Sequence, residues 1–441
     1  MERAIIDDLK KWKNSPDRKP LILLGARQVG KTWTLLEFGR QAYKNVAYVN
    51  FDNNTRLENL FTADYDISRI LRVLEMETGE RILPGETLII MDEVQEVKRG
   101  IHSLKYFCED ARQYHVAVAG SLLGIAMRPG ESFPVGKVDL MRLYPMSFEE
   151  FLLAKGKPQF VEALRQHDWE LMQMMHDSYV ELLREYYFVG GMPEVVEKYI
   201  RTNSPIEVRR LQNAILEAYR KDVSKHAPKQ EVERIQMVWQ SIPSQLSKEN
   251  KKFIFGVLKP GGRAREYEVA IQWLIDAGLV YKVSRIKKAE MPLISYEELG
   301  IFKLFFLDVG LLTAMAKLSL PDIQEGKNIL SFKGAFTENY VLSQLEIQSE
   351  EMAIYYYSRN DSQMEVDFVV QYAGRIIPIE VKAEDNLKSK SLKSFVNSHP
   401  GLRGIRFSMT PYREQDWMIN VPLYAINSYF IPLSIELKFR K

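Results

Sequence analysis

The residues Gly25-Ala26-Arg27-Gln28-Val29-Gly30-Lys31-Thr32 fit the spacing G-x-x-x-x-G-K-[ST], and Trp33 follows them. Two glycines at this spacing permit backbone conformations and close approach that a side chain would block. Successive N–H groups can then face phosphate oxygens at a helix N-terminus. Lys31 adds a positive charge for the outer phosphates, and Thr32 adds a hydroxyl for Mg²⁺. Residues Gly25 to Trp33 are therefore expected to bind ATP. A second stretch, Leu88-Ile89-Ile90-Met91-Asp92-Glu93, reads as a buried strand ending in two acids, the Walker B layout. Asp92 would hold Mg²⁺ through water together with Thr32, and Glu93 would orient or deprotonate the attacking water. The run His115 to Ala119 ends in Gly120-Ser121. If that strand lies beside the Walker B strand, Ser121 is a candidate sensor of the γ-phosphate; otherwise it is an ordinary turn serine. Lys31, Glu93 and Ser121 form the candidate catalytic set. Arg128, Lys137 and Arg142 are candidates for an arginine finger, and nothing in the sequence selects one.

A second constellation lies near the C-terminus. On Glu365-Val366-Asp367-Phe368-Val369-Val370, strand alternation puts Glu365 and Asp367 on one face. On Ile377-Pro378-Ile379-Glu380-Val381-Lys382, Glu380 and Lys382 likewise share a face. Two strands presenting an acid and then acid-x-lysine, with Glu338 in the preceding helix, make the PD-(D/E)XK nuclease arrangement. Asp367 and Glu380 would offer hard oxygen ligands to Mg²⁺, and Lys382 could stabilise charge at a scissile phosphate. The same residues also fit an ordinary solvated cross-strand pairing.

The surrounding elements can position both sets. Leu21 to Leu24, Val46 to Phe51, Leu88 to Met91 and His115 to Ala119 alternate with helical stretches, as a parallel sheet with crossover helices does. From Ser147 to Ile200 the spacing predicts helices, ending near Gly190-Gly191-Met192-Pro193. Arg209 to Ile286 reads as helices followed by a tight glycine turn at Gly278 and a strand, the winged-helix rhythm. Asn328 to Lys441 reads as a helix, strands near Ala353 to Ser358, Glu365 to Gln371 and Arg375 to Lys382, a helix near Lys388 to Val396, and a strand near Gly404 to Ser408. The expected division is an ATPase core over 1–146, a helical lid or connector over 147–208, a winged-helix-like segment over 209–290 and a nuclease-like segment over 291–441.

At 441 residues the chain is long enough for several cores. Its 60 basic and 58 acidic residues leave a formal charge of +2, so any polyanion site must be a local patch. Lys248, Lys251, Lys252, Lys259, Arg263 and Arg265 form one such patch, readable as a DNA-facing surface or as a charged solvated face. The lone Cys108 suits a reducing compartment, the start lacks a signal-peptide layout, and no apolar run is long enough to span a membrane. A cytoplasmic protein is expected.

The chain resembles a prokaryotic family of AAA-type ATPases fused to a C-terminal domain of unknown function. The resemblance rests on the Walker A residues, on Leu88 to Gln95, on Leu143-Tyr144-Pro145-Met146-Ser147-Phe148-Glu149-Glu150-Phe151 and on Tyr187-Phe188-Val189-Gly190-Gly191-Met192-Pro193-Glu194. Where family members usually carry Gly-Arg before the Leu-Tyr-Pro stretch, this chain has Gly136-Lys137, and lysine lacks the planar fork of arginine. The fold expected is α/β: a P-loop AAA-type parallel sheet with helical lid, a winged-helix linker and a restriction-endonuclease-like C-terminal domain. The function expected is Mg²⁺-dependent ATP hydrolysis coupled to that C-terminal domain. DNA, an unidentified protein and further copies of the chain are the candidate partners. The alternative is a DNA-binding, protein-remodelling or signalling module that does not cut.

Overall fold

The structure, a computed structural model, describes residues 1–121, 133–248, 251–325, 330–348, 352–359, 364–383 and 388–430; the side chains of residues 121, 330 and 331 fall outside that description. The chain forms two compact units, one of Glu2–Tyr144 with Asp276–Gly278 and one of Pro145–Ile275 with Leu279–Lys441.

In the first unit, strands β1 (Leu21–Gly25), β2 (Asn45–Asn50), β3 (Thr87–Asp92), β4 (His115–Ser121) and β5 (Asp139–Arg142) form one parallel sheet in the order β2-β3-β4-β1-β5. The helices Lys31–Ala42, Ile67–Thr78 and Gly100–Asp110 connect them. Every residue of β1 and of β3 is buried, which is why both read as unbroken apolar runs rather than as alternation. Strand β4 pairs with both, Gly25 opposite Ser121 and Asp92 opposite Ala119. The C-terminal ends of β1, β3 and β4 therefore come level at one edge, where open parallel sheets place their ligands.

The second unit begins with a run of helices. Ser147 caps Phe148–Ala154 through a capping box: its Oγ accepts from Glu150 N at 3.1 Å, and its own N donates to Glu150 Oε2 at 2.9 Å. The glycine pair that ends His176–Val189 has a packing cause. Gly190 takes φ 75°, and a Cβ on Gly191 would lie 2.2 Å from Met146 O. Met146 N donates to Gly191 O at 2.6 Å, and Gly191 N donates to the buried Asp308 Oδ2 at 2.6 Å. Gly191→Ala should accordingly destabilise this unit by about 3 kcal/mol, seen as a lowered urea midpoint with the first unit's transition unchanged.

The rest of the unit is a mixed sheet of β6 (Val280–Ile286), β7 (Glu297–Phe306), β8 (Met352–Ser358), β9 (Glu365–Tyr372), β10 (Arg375–Lys382), β11 (Gly404–Ser408), β12 (Arg413–Glu414) and β13 (Met418–Pro422), in the order β12-β13-β11-β10-β9-β8-β6-β7. The helix Leu330–Glu346, the antiparallel run β8-β9-β10, the helix Lys390–Ser398 and β11 parallel to β10 follow in the order read from the sequence. Helix Glu268–Asp276, Gly278 at φ 69° and β6 also follow as read. The β6–β7 hairpin is not a small separate sheet, because β6 also pairs in parallel with β8, Arg285 opposite Tyr356. Among the described residues no helix is long and apolar enough to cross a membrane.

Candidate functional site

The loop after β1 is shaped by what its backbone must do. A Cβ on Gly25 would lie 2.4 Å from Leu143 O, so only glycine fits where β1 meets the loop. Gln28 and Gly30 take φ 65° and 91°, left-handed turns that swing the chain into the helix Lys31–Ala42. Inside this turn the Lys31 ammonium donates to the carbonyls of Gly25 at 3.0 Å and Ala26 at 2.9 Å. Burial lowers its pKa to about 8, against the opposing pull of Glu93 and Asp92. A buried ammonium held by neutral carbonyls fits a phosphate chain, whose negative oxygens would restore the stabilisation that lost hydration has removed. Trp33, 43% exposed, stands on the outside of the first helical turn.

Thr32 Oγ1 donates to Asp92 Oδ2 at 2.8 Å, and Tyr48 Oη donates to the same oxygen at 3.0 Å. The hydroxyl and the carboxylate expected to serve Mg²⁺ thus meet, Thr32 from the helix after the loop and Asp92 from the end of β3, and hard oxygen donors of this kind fit that ion. Tyr48 carried no signal in the sequence; its role depends on β2 lying beside β3, Asn50 opposite Asp92.

Glu93 follows β3 at φ 53°, ψ 36°, with its N–H donating to Ala119 O at 3.1 Å. Burial raises its pKa above the ordinary carboxylate value, and the amide of Gln95, which donates to Glu93 Oε2, opposes the rise. A half-buried carboxylate with a raised pKa is suited to accept a proton from water. Activity that needs Glu93 ionised falls as pH drops through that raised pKa. Gln95→Ala removes a contact that lowers it, so the acid limb of the kcat/KM profile should move to higher pH in that variant, as pH-rate profiles would show.

The remaining sequence candidates separate. The β4 backbone brings Ser121 opposite Gly25, beside the Walker B strand as required, and its side chain lies outside the described residues, as does Arg128. Lys137 pairs with Glu109 at 2.7 Å, and Arg142 is exposed at the end of edge strand β5.

In the second unit, Glu338, Asp367, Glu380 and Lys382 come together with Lys303, which the sequence did not point to, and with Lys251, which it offered only as part of a basic patch. Lys303, on β7 and 0% exposed, lies 2.5 Å from Glu365 Oε1 and 4.0 Å from Glu338 Oε2. Lys251 pairs with Glu338, which is 4% exposed. Lys382 Nζ lies 2.9 Å from Glu380 Oε1, and Val381 N donates to Asp367 Oδ2 at 2.8 Å. Burial pulls the Lys303 pKa down, and Glu365, Glu338 and Asp367 outweigh it, so the ammonium is held above its ordinary value. Burial and then the charge of Glu338 hold the Asp367 pKa above the ordinary carboxylate range. Three lysines (Lys251, Lys303, Lys382) thus lie among four acids (Glu338, Glu365, Asp367, Glu380). Glu338, Glu365 and Glu380 each find a cation within the chain. Among the described residues no group of three or more His, Cys, Asp or Glu is placed to hold a metal ion.

A family model described as an AAA domain matches residues 17–152, and two described as domains of unknown function, DUF8612 and DUF4143, match residues 180–322 and 333–426. No curated protein matches the chain. Among solved structures, a Walker-type ATPase of Pyrococcus abyssi is 13% identical over 70% of this chain and 95% of its own, with a TM-score of 0.43. The RuvB Holliday junction branch migration motor of Thermotoga maritima is 14% identical over 64% of this chain and 89% of its own, with a TM-score of 0.30. Cdc6p of Pyrobaculum aerophilum is 13% identical over 72% and 91%, with a TM-score of 0.22. At these values the likenesses say nothing of function. The family match and the sheet with its phosphate loop agree that residues 17–152 are an AAA-type P-loop domain.

Proposed function

We propose that the chain is a Mg²⁺-dependent ATP hydrolase whose nucleotide state governs a C-terminal unit that binds nucleic acid without cutting it. The observation that supports hydrolysis most directly is the meeting of Lys31, Thr32, Asp92 and Glu93 at the C-terminal edge of one parallel sheet. The loop from Gly25 to Thr32 wraps the phosphates through its N–H groups, and Lys31 exchanges its carbonyl partners for phosphate oxygens. Thr32 and Asp92 would hold Mg²⁺, which would supply positive charge against the phosphates. Glu93 takes a proton from water as the water oxygen bonds to the γ-phosphorus, the bond to the ADP oxygen breaks, and ADP and phosphate leave. Lys31→Ala tests the site: phosphate release should vanish with nucleotide binding, and parent-like release by this variant would refute the assignment.

The non-cutting reading of the C-terminal unit rests on the ion pairs of its cluster. Lys251 and Lys303 pair with Glu338 and Glu365 and already supply there the positive charge that a divalent ion would bring. Lys259, Arg263 and Arg265 are exposed and suit phosphate contacts, each adding salt-sensitive affinity. Incubation with labelled duplex and single-stranded DNA in Mg²⁺ should give nucleotide-sensitive, salt-sensitive binding and intact strands. Cuts that disappear in Lys382→Ala would establish a nuclease instead, and stimulation of turnover by a protein partner with no DNA binding would move the function to remodelling.

A further inference from the structure

A cavity of about 930 Å³ in the second unit is used by neither the nucleotide site nor the acidic cluster. Its volume lies within the range of small-molecule sites. One wall is a face of the helix Pro205–His226, where Ile206, Arg209, Arg210 and Leu216 recur at helical spacing, and the other is the turn from Ala314 to Pro321. The walls are largely apolar, and Ile206, at the opening, is 82% exposed. An apolar side chain so exposed beside a concave apolar wall is surface that a ligand would cover.

The charge in this cavity has one sign. Arg209, Arg210 and Lys317 line it, and among the described residues no Asp or Glu does. The Arg209 guanidinium lies 4.5 Å from the Phe188 ring centroid, donates Nη2 to Leu318 O at 2.5 Å and finds no acceptor for Nη1. Burial lowers its pKa to about 10, and among the described residues no carboxylate counters that loss. A half-buried guanidinium without a counter-charge is stabilised by any anion brought near it, and most where apolar walls exclude water.

We propose that this cavity binds an acyl carboxylate, its hydrocarbon tail along Ile206, Leu216 and Leu318 and its carboxylate among the cations. An apolar tail removes the exposed surface from water, and a single negative charge answers the uncompensated positive field. A cationic amphiphile of the same length satisfies only the first requirement.

The test is calorimetric titration of the full chain with dodecanoate below its micelle concentration, beside dodecanol and dodecyltrimethylammonium. Dodecanoate should bind saturably at one site per chain, at least about tenfold more tightly than either control. Arg210→Glu with Lys317→Glu, both at exposed positions, should weaken it at least about tenfold, as should Ile206→Glu, with the thermal unfolding of the unliganded chain unchanged. Absence of saturable binding, equal affinity for either control, or parent-like affinity in both variants would overturn the proposal.

Discussion

Glu93→Gln lowers the turnover number for ATP by about 10²–10⁴-fold and leaves ATP affinity as it was. The substitution keeps the side chain's shape at the end of β3 and removes the one group positioned there to take a proton. It leaves Lys31, its two carbonyl partners and the Thr32–Asp92 contact untouched, so the phosphates meet the same loop. Glu93 sits at φ 53°, a conformation that costs a residue other than glycine about 1–3 kcal/mol, and its N–H bond to Ala119 O holds it. A costly backbone conformation kept at a carboxylate with a raised pKa is expected where that carboxylate is used. Loss of affinity without loss of turnover would instead make Glu93 a binding group.

Lys303→Met destabilises the second unit by about 3–5 kcal/mol, the cost of removing the buried cation that Glu365 and Glu338 share. Glu338 would keep Lys251, while Glu365 would lose the ammonium 2.5 Å away. The urea midpoint reports the loss. Adding Glu365→Gln should recover part of it, because removing both partners leaves less uncompensated charge than removing one. An unchanged midpoint in Lys303→Met would mean that the acids already share protons among themselves, and the ion pairing argued for this cluster would fall.

The nucleotide site was legible because its chemistry is local. The loop Gly25 to Thr32 and the acids that end β3 are each contiguous, and unbroken apolar runs marked both strands. Tyr48 and Gln95 were not legible, since one acts through strand register and the other through a turn of the chain back onto Glu93. In the second unit the helix, β8, β9, β10 and β11 were read, and Glu338, Asp367, Glu380 and Lys382 were drawn from them. Strand β7 was missed because Lys303 interrupts Ile301-Phe302-Lys303-Leu304-Phe305-Phe306; a lysine in an apolar run reads as an exposed position until its buried carboxylate partners are known. Lys251 was read only as part of a basic patch, for the same reason. Strand β5 and strand β13 are short and carry polar or proline residues, so neither the apolar runs nor the alternation marked them. The Gly190-Gly191 pair was read as punctuation; its contacts with Met146 and Asp308, far apart in sequence, show it as a packing joint.

The most direct test of the whole account is phosphate release from ATP by the parent chain and by Glu93→Gln, with and without Mg²⁺, in the presence of end-labelled duplex DNA that is then sized. The account predicts Mg²⁺-dependent release by the parent, release reduced at least about a hundredfold in the variant, and uncut DNA throughout. Equal release by the two proteins, or DNA cut in step with Mg²⁺, would contradict it.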